Sequence, residues 1–395
     1  MSTSPERFDA VVIGGGPAGL SAALALGRAT RRVLLASCGA PRNAPARAAH
    51  NVFTRDGTAP AELLRVGRSQ LAPYAVVIRD ECATDVRSAE SEYVVTLESG
   101  AVRARGIVLA MGVRDVLPDI PGFKELWGTG VFHCPYCHGW EVAHQPLAIH
   151  ARGEAATHLT TLIRGWTDDL MLFTDGPPEL DDADEQRIRS KGIVIRDEPV
   201  ERLIGSGGLE AVVLKTGETI RRAGIFVRPE QELRSDIPDK LGCEMTAQGR
   251  VQADSLGRTS VPRVFVAGDA GPGHQSVPSA AASGALAGAG LNLDLLGETI
   301  ERSLIPLRAD DSPFSSRPRH DPWKARRRRP ALDPGEVSIL CSISMSNAIP
   351  RRKTLDRSHA QRTLSSLSGS RCSPKRQSSP AGSGPSDSSV LPLAG

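Results

Sequence analysis

FDAVVIGGGPAGLSAALALG (residues 8–27) reads as a buried strand, a glycine turn and a helix, in that order. The unbroken apolar run up to Ile13 is that of a strand covered on both faces. Gly14-Gly15-Gly16-Pro17-Ala18-Gly19 matches G-x-G-x-x-G between that strand and that helix. Gly14 permits the tight turn, Gly16 lets the backbone approach a pyrophosphate, and Gly19 lets helix and strand pack closely. Pro17 and Ala18 open the helix, whose free N–H groups and positive dipole end face the phosphates. RRVLLA (31–36) supplies a second strand. This βαβ opening predicts a parallel, doubly wound sheet that binds a dinucleotide. The acid that usually bonds the ribose at the end of the second strand is absent. Its position falls at Ala36 or Ser37, and the Ser37 hydroxyl can bond ribose without charge assistance.

Further along, YVVTLES, AVRAR and GIVLAMG (93–112) read as short strands of a meander, the last ending at Gly112. PLAIHA, the segment 154–166 and LMLFT (170–174) form a second strand–helix–strand unit. Strands are expected near 193–196 and within 200–227. VPRVFVAGDA (261–270) is a buried strand ending at Gly268-Asp269, and 278–296 a long Ala/Gly/Leu-rich helix. Asp269 sits at the C-terminal strand edge, where doubly wound sheets place ligands. It either accepts a hydrogen bond from a ribityl hydroxyl of FAD or caps a turn. The expected fold is α/β: two Rossmann-like dinucleotide-binding domains, three-layered and doubly wound, the second inserted in the first.

The chain has 395 residues, 40% of them hydrophobic, and no run of the length a membrane helix needs. The N-terminus lacks the order of a signal peptide, so a cytoplasmic location is expected. Residues 308–395 hold 16 Lys and Arg against 7 Asp and Glu, leaving 32 against 38 in residues 1–307. The folded part is thus mildly acidic and carries no nucleic-acid footprint. The Ser-, Pro- and Arg-rich tail, with the run Arg326–Arg329 and with Cys341 and Cys372, reads as disordered.

VFHCPYCHGWE (131–141) places Cys134 and Cys137 two residues apart. Two thiols at that spacing can close a disulfide or contribute to a metal site. Structural zinc needs four ligands, and no second Cys or His pair stands at the required spacing, so no metal is assigned. His138 follows the pair directly and can exchange a proton with a thiol near neutral pH. His133 is left between a role and none. Cys38, Cys82 and Cys243 stand isolated and are read as small core or near-surface residues.

Taken together, residues 9–19, 107–112, 134–139 and 261–270 resemble the low-molecular-weight thioredoxin reductase family of FAD-dependent pyridine nucleotide-disulfide oxidoreductases. The resemblance runs over about 1–300 and implies an FAD domain built from 1–115 and 245–307, with a nicotinamide-type domain of 116–244 carrying the Cys pair. It implies that Cys137 faces the flavin, that Cys134 exchanges with substrate, and that His138 stands where the family has an acid–base Asp. It also implies a homodimer acting on a small dithiol or disulfide or on a thioredoxin-like protein. The form CPYCHGWE is similar to the branch that contains dithiol oxidases of disulfide natural products. Where that family has a second glycine motif for NAD(P)H, this chain reads Ala151-Arg152-Gly153-Glu154. Ala151 crowds the phosphate approach and Glu154 repels a pyrophosphate. Three roles stay open: an NAD(P)H-driven disulfide reductase, a dithiol oxidase using oxygen, and a flavin-binding redox sensor without catalysis. An inactive remnant is a fourth.

Overall fold

The computed structural model describes residues 5–304, with side chains to residue 297. The expected tail from 308, with its arginine run and Cys341 and Cys372, lies outside the described residues.

Chain order begins with β1 (Arg7–Ile13), α1 (Pro17–Arg28) and β2 (Val33–Ala36), as the opening residues dictate. Then follow α2 (Pro60–Ser69), β3 (Val76–Arg79), β4 (Ala83–Ala89), β5 (Glu92–Leu97) and β6 (Gly100–Leu109). The order across this sheet is β3-β2-β1-β6-β5-β4. β3, β2, β1 and β6 run parallel, and β5 and β4 return antiparallel. AVRAR and GIVLAMG, read from sequence as separate strands, are one: the first half of β6 pairs with β5, and Ile107–Leu109 pairs with the later strand Val264–Val266. Alternation breaks at Gly106, which is why the pattern looked like two strands.

After β6 come β7 (Val113–Val116), β8 (Val131–Phe132), α3 (Pro135–His138), β9 (Leu147–His150), α4 (Gly153–Ile163), β10 (Leu170–Phe173), α5 (Asp182–Ser190) and β11 (Val194–Arg196). An antiparallel trio follows, β12 (Val200–Ile204), β13 (Ala211–Leu214) and β14 (Thr219–Arg221), then β15 (Gly224–Val227) and β16 (Glu230–Leu233). A second parallel sheet has the order β11-β10-β9-β15-β8. It lies in the chain between β6 and Val264–Val266, so the second βαβ unit is inserted in the first. β7 and β16 pair antiparallel and form the ribbon by which the chain enters and leaves this inserted part. After α6 (Ile237–Leu241), the chain returns to β17 (Val264–Val266) and ends its described part with α7 (Val277–Leu304).

Each parallel sheet buries both faces. In the first, Leu20, Ala22 and Leu26 of α1 pack with Ala287 and Leu291 of α7 on one side. Ile237 of α6, with Cys243 and Val251, covers the other. In the second, Leu159 and Ile163 of α4 cover one face, and Leu203, Val212 and Leu214 of the antiparallel trio the other. Fully burying each such Leu or Ile contributes about 1.5–3 kcal/mol before entropy costs.

One cysteine expectation needs correction. Cys243 is buried, as read, but Cys38 and Cys82 are joined in a disulfide with Cα atoms 5.0 Å apart. Ala36 pairs with Arg79 across β2 and β3, so the chain just beyond each strand end arrives side by side. A separation of 44 residues hides that meeting from any local motif.

Candidate active site

A cavity of about 600 Å³ extends from the turn between β1 and α1 to the Cys134–Cys137 pair. That volume lies within the roughly 300–1,000 Å³ typical of cofactor and ligand sites. Gly14, Gly16, Pro17 and Ala18 line one end, and Ser37 sits beside them at the end of β2. Gly112, Gly268 and Asp269 line the middle, and Cys134, Cys137 and His138 the far end. Gly19 is buried one step behind the wall.

The glycine turn has the shape a pyrophosphate needs. Gly14 has φ +114°, and a Cβ on it would lie 2.2 Å from the Ala110 carbonyl oxygen. A Cβ on Gly19 would lie 1.7 Å from the Gly14 carbonyl oxygen, so helix and strand meet backbone to backbone. Gly16 differs: a Cβ there would meet nothing within 4 Å. It faces open cavity at the N-terminus of α1, where orphan N–H groups await an acceptor. The Ser37 hydroxyl packs on the same turn, since a Cβ on Gly15 would fall 2.0 Å from it. Ser37 thus stands beside the glycine turn on the cavity wall. These residues fit the pyrophosphate and ribose of a dinucleotide such as FAD.

Arg42, which carries no sequence motif, organises the middle of the cavity. Its Nε and Nη2 donate to the two carboxylate oxygens of Asp115 at 2.7 and 2.6 Å. Its Nη1 donates to Asp269 at 2.9 Å and to Gln275 at 2.7 Å. Burial would raise the Asp115 pKa, but the Arg42 hydrogen bonds and charge prevail and hold it below the usual carboxylate range. Asp269 is thus neither alone nor a simple turn cap: it is fixed by a cation and still lines the cavity.

At the far end Cys134 and Cys137 are joined as a disulfide, with Cα atoms 5.3 Å apart. Cys134 precedes the single turn α3, and Cys137 lies within it, its N–H donating to the Cys134 carbonyl at 3.2 Å. Cys134 is buried and Cys137 half-buried. His138 stacks on Phe132 with ring centroids 4.7 Å apart. Burial pushes its pKa down, with Glu141 and the Cys134 backbone opposing, so the ring is neutral at pH 7. Neither of its nitrogens has a hydrogen-bond partner of normal geometry among the described residues. A neutral imidazole beside a disulfide can take a thiol proton.

His133 also lines the cavity, and its pKa is pushed down to about 4 by burial, with the Arg42 charge adding to the shift. His50 reaches the site from the other side, its Nε2 3.2 Å from the Glu141 carboxylate. Sequence reading missed Arg42, Asp115 and His50, because each acts through partners distant in the chain.

The turn after β9, where a second glycine motif would seat NAD(P)H, is filled by the chain itself. The Arg152 guanidinium donates to the Thr174 and Asp175 carbonyls and lies 3.6 Å from Glu179. The Gly153 N–H, first of α4, donates to the Pro178 carbonyl at 2.9 Å. The Arg152 guanidinium and the Gly153 N–H are thus both engaged within the chain.

A family model described as pyridine nucleotide-disulphide oxidoreductase matches residues 8–284. The chain is 33% identical to thioredoxin reductase sirT of Leptosphaeria maculans, over 75% of this chain and 97% of that protein. It is 31% identical to thioredoxin reductase tcpT of Claviceps purpurea, over 78% of this chain and all of the relative. The crystal structure of HlmI superposes with a TM-score of 0.72 at 38% identity, covering 75% of this chain and 95% of that one. No helix among the described residues is long and apolar enough to cross a membrane.

Proposed function

We propose, from the premise that the chain belongs to the pyridine nucleotide-disulphide oxidoreductase family and is an FAD-dependent disulfide oxidoreductase, that it oxidises a small dithiol to a disulfide through Cys134 and Cys137. The observation that carries this reading is one cavity lined at one end by the glycine cradle and at the other by the disulfide and His138.

In this reading Gly14–Gly19 hold the FAD pyrophosphate, Ser37 the adenosine ribose, and Asp269, aligned by Arg42, the ribityl chain. His138 takes the proton of an incoming thiol. The resulting thiolate attacks Cys134 Sγ, the Cys134–Cys137 bond breaks, and Cys137 leaves as a thiolate. The second thiol of the substrate then displaces Cys134, so the substrate departs as a disulfide and both cysteines are reduced. Cys137 carries the electron pair toward the flavin side. The chemistry that FAD supplies when bound is acceptance of that pair and its return to oxygen, with peroxide released.

The engaged state of Arg152 and Gly153 supports oxidation over an NAD(P)H-driven reduction, because a nicotinamide cofactor would have to displace both contacts. A small dithiol fits the half-buried pair better than a large protein partner, since Cys134 is only 8% exposed.

An anaerobic titration of the purified protein tests the direction. A dithiol is expected to bleach the visible flavin band readily, and NADPH slowly or not at all. Fast bleaching by micromolar NADPH would replace this reading with the reductase. In Cys134→Ser, the remaining Cys137 thiolate is expected to give long-wavelength absorbance with the flavin; the same band in Cys137→Ser would reverse the two roles.

A further inference from the structure

The Cys38–Cys82 disulfide lies outside the reaction just described, yet both of its cysteines line the cofactor cavity. Cys38 directly follows Ser37, the residue standing where a ribose-binding acid is missing. Cys82 directly precedes β4, and its neighbours Asp80 and Glu81 line the same end of the cavity. The bond thus ties the two walls that would flank the adenosine end of the dinucleotide.

The segment that begins at Cys38 has further anchors. Four residues on, Arg42 grips Asp115 and Asp269. Between them, the Ala40 carbonyl accepts from Arg234 Nη1 at 2.6 Å. At its start, the Ser37 N–H donates to the Arg79 carbonyl at 2.9 Å, and past that bond the disulfide is the tie to the opposite wall. Cys38 is exposed and Cys82 half-buried, so a small thiol can reach the bond.

We infer that Cys38 and Cys82 form a second thiol–disulfide exchange site, open to small dithiols, whose redox state sets how tightly the adenosine end of FAD is held. A dithiol thiolate attacks one sulfur, the Cys38–Cys82 bond breaks, and the freed cysteine takes a proton. The second thiol of the reagent then closes on the first, releasing a cyclic disulfide and leaving two protein thiols. Two electrons and two protons pass from reagent to protein. Once opened, the loop that presents Ser37 and Arg42 is no longer held against the strand β3–β4 corner, and ordering it falls to the cofactor. The closed disulfide does by covalent restraint what a ribose-binding carboxylate does by charge. Because coupling is reciprocal, bound FAD must protect this disulfide from reduction by the same factor by which the disulfide strengthens FAD binding. The inference rests on FAD use by the family and is independent of the direction of electron flow.

The test uses the full chain carrying Cys134→Ser and Cys137→Ser, which removes the other exchangeable pair. FAD affinity is measured by fluorescence of released flavin, before dithiothreitol, after it, and after reoxidation. Alkylation and peptide mass analysis report the state of Cys38 and Cys82. Reduction is expected to weaken FAD binding about tenfold, within the range usual for coupled sites, and reoxidation to restore it. Dithiothreitol is expected to reduce Cys38–Cys82 about tenfold less favourably when FAD is bound, by the same reciprocity. Cys38→Ser with Cys82→Ser is expected to start at the weakened affinity and to ignore the reductant. Equal affinity in both redox states of the same molecules overturns the inference, whether or not the serine variant folds. A chain that holds no FAD in any state would instead overturn the cofactor assignment, and this inference with it.

Discussion

Arg42 and Asp115, 73 residues apart in sequence, meet in a two-pronged ion pair at 2.6 and 2.7 Å, and the third donor of the same guanidinium holds Asp269. The Asp115 side chain is only 4% exposed, so removal of the arginine leaves a buried carboxylate without its cation. Arg42→Ala is expected to cost roughly 3 kcal/mol, the usual penalty for breaking one side of a buried pair. Flavin should also be lost more easily, since Asp269 is freed. Arg42→Lys keeps the charge but not the fork, and should recover only part of both effects. Thermal denaturation and flavin retention on gel filtration check this; a melting temperature unchanged in Arg42→Ala would refute it.

His138 is neutral at pH 7 because burial outweighs Glu141 and the Cys134 backbone. As the proton acceptor for the incoming thiol it must be neutral to act. Dithiol-driven flavin bleaching is therefore expected to be flat around neutral pH and to fall on the acid side, below the ordinary imidazole range. His138→Gln should slow bleaching roughly 100-fold, the lower end of general-base effects, and abolish that acid limb while leaving flavin content unchanged. Stopped-flow bleaching rates from pH 5 to 9 give the answer. A glutamine variant that keeps the acid limb would assign the proton to another group.

His133 has its pKa pushed down to about 4, against about 6.5 in an unfolded chain. Between those values the unfolded chain binds the proton and the folded one does not. Stability supplied by the neutral ring is thus complete above about pH 6.5 and falls as pH drops toward 4, by up to about 3 kcal/mol. His133→Asn should melt with a shallower pH dependence than the wild type across that window. Parallel slopes in the two proteins would remove His133 as the source.

The cradle and the redox pair were legible because each is a short-range pattern. G-x-G-x-x-G encodes a turn and a helix start within six residues, and C-x-x-C encodes one turn of helix. The glycine turn before α1 and the paired cysteines at α3 both appear in the structure where their spacing put them. The rest of the site is made by strand order. Cys38 meets Cys82 because β2 lies beside β3; Arg42 meets Asp115 and Asp269 because β6 lies between β1 and β17. No periodicity in 40–60 or 80–92 announces those neighbours. The altered nicotinamide motif was readable as a loss of glycines, but the engagement of Arg152 with the Thr174 and Asp175 carbonyls was not.

The ribbon of β7 and β16 is where the chain passes into the inserted part and back, and at that crossing Arg42 and Gln231 of β16 both bond Asp115 of β7 and Gln275. Mechanically this is a two-strand axle with a pin set beside it. Four residue pairings join the two strands, one of them Gln231 with Asp115. A rotation of the inserted part about this ribbon is expected to strain the Arg42 ion pairs with Asp115 and Asp269.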